Sequence, residues 1–141
     1  MTDVRDHPAI DHVIERWEAA LGGHDADALV ATYAQDAVLE SPLVLHVTGK
    51  HGRLQGHDEL RPFFAEIVKR TPTLRGFHRG VYFTDGTRAI WEYPRECPAG
   101  EQMDFVEVME FEAGLIKRHR VYWGWRGVDL IMNDRYYRDS A

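Results

Sequence analysis

The chain has 141 residues, 44% hydrophobic and 28% charged, which suits one globular domain burying roughly 70% of its unfolded surface. A net charge of -6 argues against nucleic-acid binding, because phosphate recognition wants a basic face. Cys97 is the only cysteine, so no internal disulfide forms and a reducing cytoplasm is the expected setting. No apolar signal core opens the chain, and no run approaches the roughly 20 apolar residues of a membrane span.

In chain order, residues 1–6 are polar and expected to be loose. Pro8 suits a first helical turn. Ile10, Val13, Ile14, Trp17 and Leu21 then recur with the spacing of an amphipathic helix, which Gly22-Gly23 ends. Asp25 is a good N-cap for a shorter second helix, on which Leu29 and Tyr33 lie one turn apart. Gln35-Asp36 breaks that pattern. Val38 to Ser41 reads as a short strand stopped by Pro42, and Leu43 to Thr48 as a second strand. Gly49 to Arg53 is a turn or mobile loop. A third helix starts near Gly56-His57-Asp58, with Asp58 as N-cap. Leu60, Phe63, Phe64, Ile67 and Val68 form its apolar stripe, and Thr71-Pro72 stops it.

Strand signals follow. Gly76 to Phe83, Arg88 to Tyr93, Met103 to Phe111 and Leu115 to Trp123 are separated by Asp85-Gly86, by Cys97 to Gly100 and by Ala113-Gly114. They make an antiparallel meander. A short helix is expected from Val128 to Met132, within a tail spanning 128–141. Helices segregated to one side of a bent antiparallel sheet give an α+β cone, with three N-terminal helices inside the sheet and an open mouth.

The last hairpin carries the chemistry. Strand side chains alternate faces, so Phe105, Glu107, Met109 and Phe111 share one face of its first strand. His119, Val121 and Trp123 share one face of the second, and Arg118, Arg120 and Tyr122 the other. A carboxylate among Phe, Met and Trp suggests a pocket. There Glu107 either stays protonated and donates to a carbonyl, or pairs with Arg118, Arg120 or His119 as a satisfied cross-strand partner. His119 beside it is a candidate general acid–base group. No His or Cys–His spacing on one element suits a metal, and no glycine-rich phosphate loop follows a strand, so neither metal nor cofactor is expected.

Three segments invite a family. His24-Asp25-Ala26-Asp27-Ala28-Leu29-Val30-Ala31-Thr32-Tyr33-Ala34-Gln35-Asp36-Ala37-Val38, Gly56-His57-Asp58-Glu59-Leu60-Arg61-Pro62-Phe63-Phe64, and the hairpin ending Arg120-Val121-Tyr122-Trp123 come in a specific order. In that order the chain resembles the nuclear transport factor 2-like superfamily, including SnoaL-like polyketide cyclases and ketosteroid isomerases. The resemblance implies a cone-shaped cystatin-like barrel, a deep apolar pocket, and a homodimer through the outer sheet face carrying Arg118, Arg120 and Tyr122. Set against ketosteroid isomerase, the position of the base is Ser41, that of the first-helix tyrosine is Trp17, and that of the protonated acid is Glu107. A serine alone abstracts no proton at neutral pH, so steroid isomerisation by the usual route is not expected.

The residues expected at the site are therefore Glu107 and His119 for chemistry. Trp17, Tyr33, Ser41, Phe63, Phe64, Phe105, Met109, Val121 and Trp123 are expected to hold a small apolar ligand. Three functions fit: a cofactor-independent isomerase, cyclase or hydrolase acting on an apolar carbonyl compound, a non-catalytic binder of a hydrophobic ligand, or a dimeric interaction domain.

Overall fold

The structure, a computed structural model, describes residues 7–70, 80–93, 96–97, 100–101 and 104–132. Helix α1 (Pro8–Gly22) buries the expected stripe: Ile10, Val13, Ile14, Trp17 and Leu21 are all inside. Its end is closed by the Gly23 N–H donating to the Ala19 carbonyl. Helix α2 (Ala26–Ala31) is capped by the Asp25 carboxylate, which accepts from the Ala28 N–H at 3.0 Å.

Tyr33 lies outside α2. The Thr32 hydroxyl donates back to the Leu29 carbonyl at 2.7 Å, and Tyr33 opens strand β1 (Tyr33–Glu40). Gln35 and Asp36, which read as a break, lie within this strand on its exposed side, where the pairing register shifts. The expected strand over Leu43 to Thr48 is instead helix α3 (Pro42–Thr48). Its β-branched and leucine content pointed to a strand, but its ends decide otherwise. The Ser41 side chain accepts from the Leu43 N–H at 3.1 Å, and Pro42 occupies the first turn. Gly49 then takes a left-handed φ of 69° and returns its N–H to the Leu45 carbonyl.

A short strand β2 (Arg53–Gln55) leads into helix α4 (His57–Arg70). Asp58, expected as the N-cap, falls instead inside the first turn, where its charge still favours the positive helix end. Leu60, Phe63, Phe64 and Ile67 are buried as the stripe predicts. Strands β3 (Phe83–Thr84) and β4 (Arg88–Tyr93) form a hairpin. Most of the strand expected from Gly76 lies outside the described residues. Of that stretch, residues 80–82 precede β3 without joining it. A small separate ribbon pairs β5 (Glu96–Cys97) with β6 (Gly100–Glu101). Strands β7 (Phe105–Glu112) and β8 (Leu115–Trp123) make the long hairpin, turning at Ala113-Gly114. Helix α5 (Trp125–Met132) begins three residues earlier than expected, and the rest of the tail lies outside the described residues.

The main sheet has six strands in the order β2-β1-β8-β7-β4-β3. It is mixed where an antiparallel sheet was expected: β1 runs parallel to β8 and antiparallel to β2, while β3, β4, β7 and β8 pair antiparallel as the meander predicts. Its register sets the inner face in rows. Leu54, Leu39, His119, Met109 and Ala89 form one row. Val121, Glu107 and Trp91 form the next, and Trp123, Phe105 and Tyr93 the third. Helix residues lie over this face: Trp17 meets Trp91 edge-on at 6.4 Å, and Phe64 lies 5.3 Å from the ring of Tyr33. Among the described residues no helix is long and apolar enough to cross a membrane.

Candidate functional site

A cavity of about 80 Å³ opens between the helices and the second and third rows of the sheet. That is room for several water molecules, since one needs roughly 10–15 Å³ on the same measure. Helices supply Trp17, Leu21, Leu43, Phe63, Phe64 and Ile67. The sheet and its edge supply Leu39, Ser41, Tyr93, Phe105, Glu107, His119, Val121 and Trp123.

Glu107 sits in this wall with only 4% of its surface exposed. It is held from both sides. His119 Nε2 lies 2.8 Å from Oε1, and the Tyr93 hydroxyl donates to Oε2 at 2.7 Å. Behind His119, its Nδ1 lies 2.8 Å from the Tyr33 hydroxyl, and the Trp17 indole N–H donates to that same hydroxyl at 3.0 Å. All of these side chains are buried.

The proton count orients the chain of bonds. An indole N–H only donates, so Tyr33 must accept from Trp17. The phenol proton then goes to His119 Nδ1. The neutral imidazole carries its own proton on Nε2 and gives it to Glu107. Glu107 thus accepts at both oxygens, the role a carboxylate fills. The electrostatics agree with this order. Burial pushes the Tyr33 phenol well above its ordinary range, the Trp17 bond works the other way, and the Glu107 charge adds to the rise.

Ser41 contributes a free donor. Its oxygen accepts from the Leu43 N–H to start α3, and its own hydroxyl proton has no acceptor among the described residues. It is 8% exposed and lines the cavity.

Of the residues expected at the site, Trp17, Ser41, Phe63, Phe64, Phe105, Glu107, His119, Val121 and Trp123 line the cavity. Tyr33 and Met109 do not. Tyr33 is 1% exposed and lies behind His119; Met109 is fully buried beside it in the first row. Leu21, Leu39, Leu43, Ile67 and above all Tyr93 were missed. Tyr93 was within reach of the sequence, because alternation in Arg88-Ala89-Ile90-Trp91-Glu92-Tyr93 puts Ala89, Trp91 and Tyr93 on one face. Among the described residues no group of three or more His, Cys, Asp or Glu is placed to hold a metal ion.

Residues 14–119 match the SnoaL-like domain. The chain belongs to the SnoaL-like family. Its fold is shared by a SnoaL-like protein of unknown function from Burkholderia thailandensis, at 22% identity and a TM-score of 0.66, covering 82% of this chain and 93% of that one. It is shared by the epoxide hydrolase/cyclase-like enzyme SalBIII of pyran ring formation in salinomycin, at 20% identity and a TM-score of 0.63, covering 89% and 95%. A de novo designed protein with a curved β-sheet has it too, at 18% identity and a TM-score of 0.64, covering 91% and 95%. No curated protein sequence matches. A fold shared by an enzyme and a designed scaffold carries no single chemistry, so function rests on the site.

Proposed function

We propose that this SnoaL-like protein is a cofactor-independent enzyme that moves a proton on a small, largely apolar carbonyl compound. One observation carries the reading: an acceptor-only Glu107, steadied by His119 and Tyr93, in the wall of an otherwise apolar cavity. Each carboxylate oxygen has a second lone pair, so Glu107 can still take a proton from a ligand.

Relative to ketosteroid isomerase the roles are exchanged across the pocket. The hydrogen-bond donor is the Ser41 hydroxyl, and the base is Glu107. The step balances without a co-reactant. The C–H bond beside the carbonyl breaks and its proton goes to Glu107. The electron pair moves onto the carbonyl oxygen, which Ser41 holds. Glu107 then returns the proton to carbon and the carbonyl reforms. Returned to the same carbon it gives exchange; returned further along a conjugated system it gives an isomer.

The test needs no knowledge of the natural substrate. Apolar ketones are incubated with the protein in D2O, and loss of the α-proton signal is followed by NMR. Faster exchange than in buffer, abolished in Glu107→Gln and weakened in Ser41→Ala, is expected. Ketones that bind but exchange no faster than in buffer would sink the enzymatic reading.

A second reading, a non-catalytic binder of a hydrophobic ligand, is favoured by one specific observation. Both ring nitrogens of His119 are already engaged within the protein, so it has no free position for substrate. We also propose a homodimer through the outer sheet face, working in the cytoplasm. The exposed Phe83, Ile90 and Tyr122 on that face support it.

A further inference from the structure

We propose that the ligand of this cavity carries a protonated amine beside its apolar body. The cavity wall combines two features that recognise such a group. Six aromatic side chains line it: Trp17, Phe63, Phe64, Tyr93, Phe105 and Trp123. The face of an aromatic ring is negative and attracts an ammonium. Tyr93 and Phe105 stack on each other at 4.1 Å, which fixes both rings beside Glu107.

The second feature is charge. Glu107 is the one carboxylate in the wall, and no Lys or Arg lines the cavity among the described residues. The neighbouring His119 has both ring nitrogens engaged within the protein. Its Nδ1 takes the Tyr33 proton, and Tyr33 is committed to Trp17 on its other side. The Nε2 side of the imidazole and the Tyr93 hydroxyl both meet Glu107, so the carboxylate stands as an acceptor in an apolar wall. There a charge acts more strongly than in water. A carboxylate ligand is repelled, a neutral one is tolerated, and a cation is drawn in. The overall charge of -6 steers cations the same way.

The amine does not displace the chemistry. An ammonium resting on the rings feels the carboxylate without occupying it, and Glu107 stays open to a proton on a neighbouring carbon. This assignment rests on the cavity being a ligand site, as proposed above, and not on turnover.

Four probes of one size decide it: benzylamine, benzyl alcohol, benzoate and toluene, titrated by calorimetry at neutral pH. Benzylamine is expected to bind at least about tenfold more tightly than benzyl alcohol, with benzoate weakest. In Glu107→Gln the preference for benzylamine over benzyl alcohol disappears. If that variant does not fold, the wild-type ranking stands alone as the test. Benzylamine binding no better than benzyl alcohol, or failing to bind at millimolar concentration, overturns the proposal. Amine preference without proton exchange on any ketone removes the enzymatic reading and leaves this one. Exchange without amine preference does the reverse.

Discussion

His119 and Glu107 touch on a diagonal. In the register of β7 and β8, Met109 stands opposite His119 and Val121 opposite Glu107. The 2.8 Å contact between Nε2 and Oε1 therefore crosses between two neighbouring rows. It leaves Val121 and Met109 on the flanks, so the polar pair sits in an apolar frame.

The first prediction separates charge from shape at this pair. Glu107→Gln keeps the volume and one acceptor, but turns an amide N–H2 toward a donor. It is expected to cost about 1–3 kcal/mol and to abolish proton exchange. Glu107→Leu removes the acceptor of the His119 N–H and of the Tyr93 hydroxyl from an apolar wall, and is expected to cost more. Urea unfolding of the two variants checks the order. Leu as stable as Gln would show that the two donors find other partners.

Much of this was legible in the sequence. Helix α1, helix α4 and the β7–β8 hairpin have long, clean periodicities and were read with the correct buried faces. Alternation put Glu107 on a face with Phe105 and Met109 and His119 on a face with Val121 and Trp123, but left open whether Glu107 pairs with Arg118, Arg120 or His119. What was not legible has physical causes. Leu43 to Thr48 is rich in strand formers, and only its Ser41-Pro42 start and Gly49 end make it a helix. Tyr33 falls where helical and strand spacing both bury it, so burial could not place it. The proton order along Trp17, Tyr33, His119 and Glu107 depends on distances between segments far apart in the chain.

Tyr33 gives a pH test on the alkaline side. Its phenol is raised above the ordinary value by burial, so the folded state holds the proton where the unfolded chain releases it. The stability it contributes is complete below about pH 10 and is lost as pH rises through the folded value. The gap in unfolding free energy between the wild type and Tyr33→Phe is expected to be about 1–3 kcal/mol at neutral pH. It should narrow above about pH 10. A constant gap would contradict the buried donor role.

Asp85 gives the opposite sign. The Thr87 N–H is the main cause holding its carboxyl below the usual range, followed by the Arg88 N–H and guanidinium. Together they fold the turn between β3 and β4. A lowered folded value means that the contribution is present above the ordinary carboxylate range and fades as pH falls through the folded value. Asp85→Asn should therefore melt at a lower temperature than the wild type at neutral pH, and the difference should shrink in acid. Melting curves across the acid range check it; equal melting points at neutral pH would refute it.

Gly124 tests how α5 is anchored beside the cavity. Its N–H donates to the Asp104 carbonyl at 2.6 Å, and the Asp104 carboxylate accepts from Gly127 at 2.7 Å to start the helix. A Cβ at Gly124 would meet Asp104 Oδ2 at 2.2 Å and its backbone oxygen at 2.9 Å. Gly124→Ala is expected to destabilise by about 1–3 kcal/mol and to loosen α5. Hydrogen exchange should show faster exchange at Gly127 and Val128 than in the β7–β8 hairpin. Unchanged exchange there would mean that Asp104 swings aside at no cost.

The outer face of the sheet makes the last prediction. One register row on it reads Phe83, Ile90, Val108, Arg120, Glu40 and Arg53. Its β3–β4 half exposes apolar surface, with Phe83 at 70% and Ile90 at 42%. Its other half is charged, with Arg120 bonded to Glu110 at 2.5 Å. A second copy fits this face when the apolar halves meet and the charged halves remain at the rim. Sedimentation of the wild type is expected to give a dimer. Ile90→Lys places a charge where the two apolar halves would meet and is expected to weaken association by at least about tenfold, leaving the cavity and its ligand affinity intact. A wild type that sediments as a monomer at all concentrations would rule out this dimer.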